Sequence, residues 1–134
     1  RNLFVRRAFH FPATHQSFLD SVYPKWEAII EGNSQWVILD QFKIPAGFNH
    51  PLAGLALLID PMYPDIQIDM AYFKPDLARA DGKGINALST HHLDGHIWQR
   101  WSRHREPNQW RPGFDNVETH LLYVSAFLEL ELKK

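Results

Sequence analysis

The feature that most constrains the fold of this 134-residue chain is the alternation of apolar and polar side chains between Trp26 and Tyr72. Trp26, Ala28 and Ile30 alternate with Glu27 and Glu31, the period of a half-buried strand with one face in a core. Gly32-Asn33-Ser34 reads as a turn into a second strand, Trp36-Val37-Ile38-Leu39-Asp40-Gln41-Phe42. Gly54-Leu55-Ala56-Leu57-Leu58-Ile59 is a third, and Ile66, Ile68, Met70 and Tyr72, alternating with Gln67, Asp69 and Ala71, give a fourth. Short successive connections favour an antiparallel meander over crossovers.

Helical periodicity flanks these strands. Val117, Leu121, Val124 and Leu128 predict an amphipathic helix over 117–132, opening on an Asp115-x-x-Glu118 capping pattern behind Pro112-Gly113. Thr14 is positioned to cap a shorter helix that runs to about Val22 and is stopped by Pro24. Residues 1–12 read as an arm, apolar at Leu3, Phe4, Val5, Phe9 and Phe11 and carrying three arginines, and Arg1 at its head suggests that further sequence precedes it. Residues 13–134 then form one α+β domain, a four-stranded antiparallel meander with flanking helices. Between Pro75 and Pro112 the periodicity is lost, and so long a stretch either carries function or hides structure of its own.

Composition narrows the function. With 14 Lys+Arg against 15 Asp+Glu the net charge is −1, which argues against a nucleic-acid partner. No apolar run is long enough to cross a bilayer, so no membrane partner is expected. Arg1, Arg6, Arg7 and His10 break up the opening apolar residues, so there is no signal-peptide pattern and a cytoplasmic protein is expected. The chain has no cysteine, which excludes disulfides, thiolate metal sites and thioester chemistry on it.

Several motifs carry a resemblance. Ile44-Pro45-Ala46-Gly47-Phe48, Tyr63-Pro64-Asp65 with Asp69-Met70, and the run Gly95-His96-Ile97-Trp98-Gln99-Arg100-Trp101-Ser102-Arg103-His104 are followed by Trp110-Arg111-Pro112-Gly113-Phe114-Asp115. Set on a meander that ends in a helix, they resemble the ubiquitin-conjugating-enzyme fold, and most closely the prokaryotic ubiquitin-conjugating-like family E. The resemblance runs from about Phe18 to Leu132. It implies a bacterial pathway whose members are a ubiquitin-like or multi-ubiquitin protein, a ThiF-type adenylating enzyme and a JAB-type isopeptidase. In the fold's usual pattern a Gly-x-Ile leads to the cysteine that carries the thioester; here Gly95-His96-Ile97 leads to Trp98, which forms none. The second proline expected after Tyr63-Pro64 is replaced by Gln67-Ile68.

Trp98, Trp101 and Trp110 either build a core beneath the irregular segment or, with Arg100, Arg103 and Arg111, form a rigid surface that grips a partner. On a strand, Trp98 and Trp101 would lie on opposite faces. His104 is the leading candidate for a general base or orienting residue and His92 the second, against a plain role in loop hydrogen bonding. His92, His96, Asp94 and His104 have no spacing that supports a zinc site, with Gly95 interrupting any helix, so no metal and no cofactor are expected. Ser102 lacks the surroundings of a nucleophile elbow, and Asp76 to Gly84 lacks the spacing of a phosphate loop. Two functions stand: a non-catalytic module that docks the ubiquitin-like protein and its activating enzyme, and a cysteine-independent conjugation factor that uses His104.

Overall fold

The computed structural model describes residues 4–134. Helix α1 (Ala13–Val22) leads into a sheet of β1 (Glu27–Glu31), β2 (Ser34–Lys43), β3 (Leu52–Ile59), β4 (Ala71–Lys74), β5 (Leu88–Leu93) and β6 (His96–Trp101), and helix α2 (Val117–Glu131) closes the fold. The architecture is α+β, with six strands in the order β1-β2-β3-β4-β6-β5, each pair antiparallel.

Six strands replace the expected four. The segment expected to be irregular contains the β5–β6 hairpin, turned by Asp94 and Gly95, both at positive φ. That is the backbone of a tight two-residue turn that matches sheet twist. The fourth strand also moves: it spans Ala71–Lys74, not 66–72. Ile66 is 46% exposed, and Met70 sits in the left-handed region at φ 64, so the alternation there is not a strand's.

Antiparallel pleating sorts the strands' side chains onto two faces. One face holds the main core, where Val37, Leu39, Leu55, Leu57, Phe73 and Trp101 meet Val124, Phe127 and Leu128 of α2. The other holds a smaller cluster of Ile29, Trp36, Ala56, Tyr72, Leu93 and Trp98. The expected burial of Leu121, Val124 and Leu128 holds.

The helix starts differ from the expectation by one or two residues. Pro12 occupies the N-cap of α1 without a side-chain bond, leaving Thr14 inside the first turn. The capping box of α2 is Asn116 with Thr119, since Asn116 Oδ1 accepts from the Thr119 N–H and Thr119 Oγ1 from the Asn116 N–H. At the other end of α2, buried Arg79 donates to the carbonyl of Glu131 at 2.7 Å, satisfying a group that a helix end leaves open. Of the expected arm, residues 1–3 lie outside the described residues. Arg6 and Ala8 bond to Ala28 of β1, and the Arg6 guanidinium joins Glu27 (2.7 Å) to Asp94 of the hairpin turn (2.8 Å). These two carboxylates, by hydrogen bonding, hold the guanidinium well above its usual pKa.

Candidate functional site

Strand β4 separates two environments. At its N-terminal end, Met70 and Asp69 are held by two neighbouring segments, residues 103–105 and α2. The Met70 N–H donates to the Arg103 carbonyl (3.1 Å), and the Met70 carbonyl accepts from His120 Nε2 (2.9 Å). A non-glycine residue held at positive φ costs of order 1–3 kcal/mol and persists only where its surroundings fix it. Here they present the Asp69 carboxylate. Its Oδ2 lies 2.8 Å from His104 Nδ1, and its Oδ1 accepts from the Arg105 N–H (3.2 Å).

Because a carboxylate only accepts, His104 Nδ1 carries the hydrogen when the ring is neutral. Its Nε2 lone pair is then directed away from the pair. The His104 side chain is 66% exposed. The arrangement is that of an oriented base with an open nitrogen.

Beneath this pair the chemistry is fixed. His120 is fully buried; its Nε2–H donates to Met70, so its Nδ1 accepts from the Arg105 guanidinium at 2.8 Å. Burial lowers its pKa to about 4 and keeps the ring neutral. Arg105 also donates to the Ile68 carbonyl and lies against the rings of Tyr123 (4.4 Å) and Trp110 (5.0 Å). Its burial lowers the guanidinium pKa. The Tyr63 hydroxyl accepts from the Val117 N–H (2.8 Å) and faces His15 Nδ1 (2.8 Å), joining the Tyr-Pro turn to the first turn of α2. Burial holds that phenol well above its usual pKa.

At the C-terminal end of β4, Trp98 fills the space. It is 2% exposed, and its Nε1–H donates to the Leu93 carbonyl (3.2 Å). Gly54 lies beneath the indole edge, where a Cβ would stand 3.6 Å from the ring and 3.3 Å from the Lys74 carbonyl oxygen. The Lys74 ammonium lies 5.3 Å from the ring centre. Trp98 does not face the long helix: its ring belongs to the smaller cluster, across the sheet from α2. A strand sends alternate side chains to opposite faces, and Trp101 takes the face toward Phe127.

The other candidates scatter. Trp101 and Trp110 are buried, the latter donating to the Pro64 carbonyl (2.9 Å). Arg100 bonds to Ser89 Oγ (2.9 Å), and Arg103 pairs with buried Glu131 (3.1 Å) over the Trp101 ring. Arg111 is exposed and lies 4.3 Å over Phe114, which is 60% exposed. His92 is exposed on β5, away from the Asp69–His104 pair in the sheet order. Among the described residues, no group of His, Asp and Glu side chains gathers to hold a metal ion, and no helix is long and apolar enough to cross a membrane.

Asp69 and His120 are not among the candidates that the sequence offers, yet the structure places them beside His104 and Met70. Asp69 stands 35 residues before His104, and only the tertiary fold joins them. His120, on the buried stripe of α2, is a polar residue in an apolar pattern, a signal that was available.

The model of prokaryotic E2 family E matches residues 11–131. No curated protein and no solved structure matches the chain. The chain belongs to prokaryotic E2 family E, which makes it a ubiquitin-conjugating-like component of a ubiquitin-like conjugation pathway.

Proposed function

Proceeding from that membership, we propose that the chain is a cysteine-less docking module that binds a ubiquitin-like or multi-ubiquitin protein and its ThiF-type activating enzyme without carrying the modifier covalently. The packing of Trp98 carries this reading. The residue that follows Gly95-His96-Ile97 is an indole sealed inside the sheet, and neither it nor its neighbours offers a thiolate. What remains for partners is surface. Arg111 over exposed Phe114 combines a guanidinium with an apolar ring, the pairing favoured at binding hot spots. A JAB-type isopeptidase acting on the same modifier completes the proposed set of partners.

The test is association of the full chain with the ubiquitin-like protein and the activating enzyme, measured by titration calorimetry. Arg111→Ala is expected to weaken binding by about tenfold or more, the scale of one hot spot. Unchanged affinity would remove this surface from the account.

The Asp69–His104 pair supports a second reading, a cysteine-independent conjugation factor in which His104 assists as acid–base or orienting residue. Such assistance contributes about 10²–10⁴-fold. His104→Gln separates the two: a docking module keeps both association and covalent transfer to target. Loss of transfer by about 100-fold at unchanged affinity would instead assign His104 the acid–base role.

A further inference from the structure

Helix α2 turns one stripe of side chains into the core and a second, outer row toward solvent. Glu118, Leu122, Ala126 and Leu130 are all exposed, and their spacing of four residues sets them along one side of the helix. Leu122 is 68% exposed and Leu130 58%. A single exposed leucine is ordinary, but two on one row with an alanine between them form an apolar stripe. Lys133 and Lys134 follow at the end of the helix, both exposed. The row therefore reads acidic, Leu, Ala, Leu, basic at even intervals.

We infer that this row is the interface of an antiparallel, twofold dimer of the chain, with Ala126 at the axis. Such an axis sets Leu122 opposite Leu130 of the second copy and Glu118 opposite its Lys134. Size then repeats and charge inverts about the centre, which is what a surface must do to complement itself. The Lys134 side chain is 58% exposed, although its ammonium lies 3.2 Å from Glu131. Glu129, the other exposed carboxylate of the helix, comes opposite Tyr123, whose ring lies 4.4 Å from the Arg105 guanidinium. A parallel pairing would instead set glutamate against glutamate and lysine against lysine. Laying one row of four-residue spacing along another is the commonest way that helices pack, and a small residue at the crossing lets their axes approach to about 8–10 Å. The row is short beside a standard interface of about 1,200–2,000 Å², so the dimer is weak, with a Kd of about 10–100 µM. It involves none of the partners of the docking reading and stands apart from it.

Sedimentation equilibrium of the full chain from about 5 to 500 µM tests the dimer without any other protein. A monomer–dimer equilibrium is expected. Leu122→Glu should weaken it more than tenfold at an unchanged urea midpoint, because the position is solvent-exposed in the single chain. Glu118→Lys should weaken it about fivefold, the scale of exposed ion pairs met twice in one interface. Because the chain has no cysteine, single introduced thiols report the geometry. Ala126→Cys should oxidise to a covalent dimer, since the axis brings its two copies into the Cα separation of about 4.4–6.8 Å that a disulfide needs. Glu118→Cys should not, since an antiparallel pair holds those two positions about 24 Å apart. A chain that stays monomeric to about 500 µM, a dimer indifferent to Leu122→Glu, or cross-linking as fast at 118 as at 126 would each overturn the dimer. So would a monomer whose Leu122→Glu variant loses affinity for the ubiquitin-like protein or the activating enzyme, which would give the stripe to that partner. A dimer that binds neither protein would sink the docking proposal alone.

Discussion

The two ends of β4 differ in how they use their polar groups. At the Lys74 end Trp98 is packed into the smaller cluster, and the ring's only polar atom is bonded to a neighbouring carbonyl. At the Asp69 end polar groups are spent on holding one carboxylate and one imidazole at the surface, over a buried histidine and guanidinium. A four-residue strand therefore joins a sealed, packed end to one where a carboxylate and an imidazole reach the surface. Titratable groups accumulate instead where the backbone is held in an uncommon conformation, as at Met70.

The largest expected effect lies at the sealed end. Trp98→Ala should lower unfolding stability by about 3–5 kcal/mol, the cost of emptying a packed aromatic site, as read by urea denaturation. A loss below about 1 kcal/mol would mean that the ring is not packed as described and would break the comparison.

The next concerns the floor of the exposed end. His120 has a folded pKa of about 4 against its usual 6.5. Between those values the unfolded chain binds a proton that the folded chain does not, so stability falls as pH drops from 6.5 toward 4. The loss attributable to this residue is about 3 kcal/mol. Denaturation curves across that range should show a shallower acid slope for His120→Gln, whose amide can still donate to the Met70 carbonyl. The same slope in both chains would contradict a neutral, buried imidazole.

The smallest effect is expected at the surface pair. His104→Gln should change stability by less than about 0.5 kcal/mol, because an exposed side-chain contact contributes little. A loss of several kcal/mol would make His104 a structural residue and remove it from any account of chemistry.

How much of this was legible follows from where each pattern comes from. Val37, Leu39, Leu55, Leu57 and the stripe of α2 were readable because one core imposes its period on them. Strand β5 was not, because its residues Ser89, Thr90, His91 and His92 lie at the edge of the sheet, where burial imposes little alternation. Asp94-Gly95 was the signal for that hairpin, and it outweighs hydropathy at an edge. The alternation over 66–70 misled for the opposite reason. Ile68 is fully buried and its carbonyl is taken by Arg105, so its burial comes from loop packing rather than from a pleat. The Asp69–His104 contact had no local signature; His104 was found by its motif and its partner only by the fold.

The central claim is that the end of β4 beside Trp98 holds no covalent station and that the chain acts by binding. Intact-mass spectrometry of the chain after incubation with ATP, the activating enzyme and the ubiquitin-like protein, run beside a co-elution assay, tests it directly. The account predicts co-elution with an unchanged mass for this chain throughout modifier activation. A species heavier by one modifier, formed on this chain and passed on to a target, would contradict it.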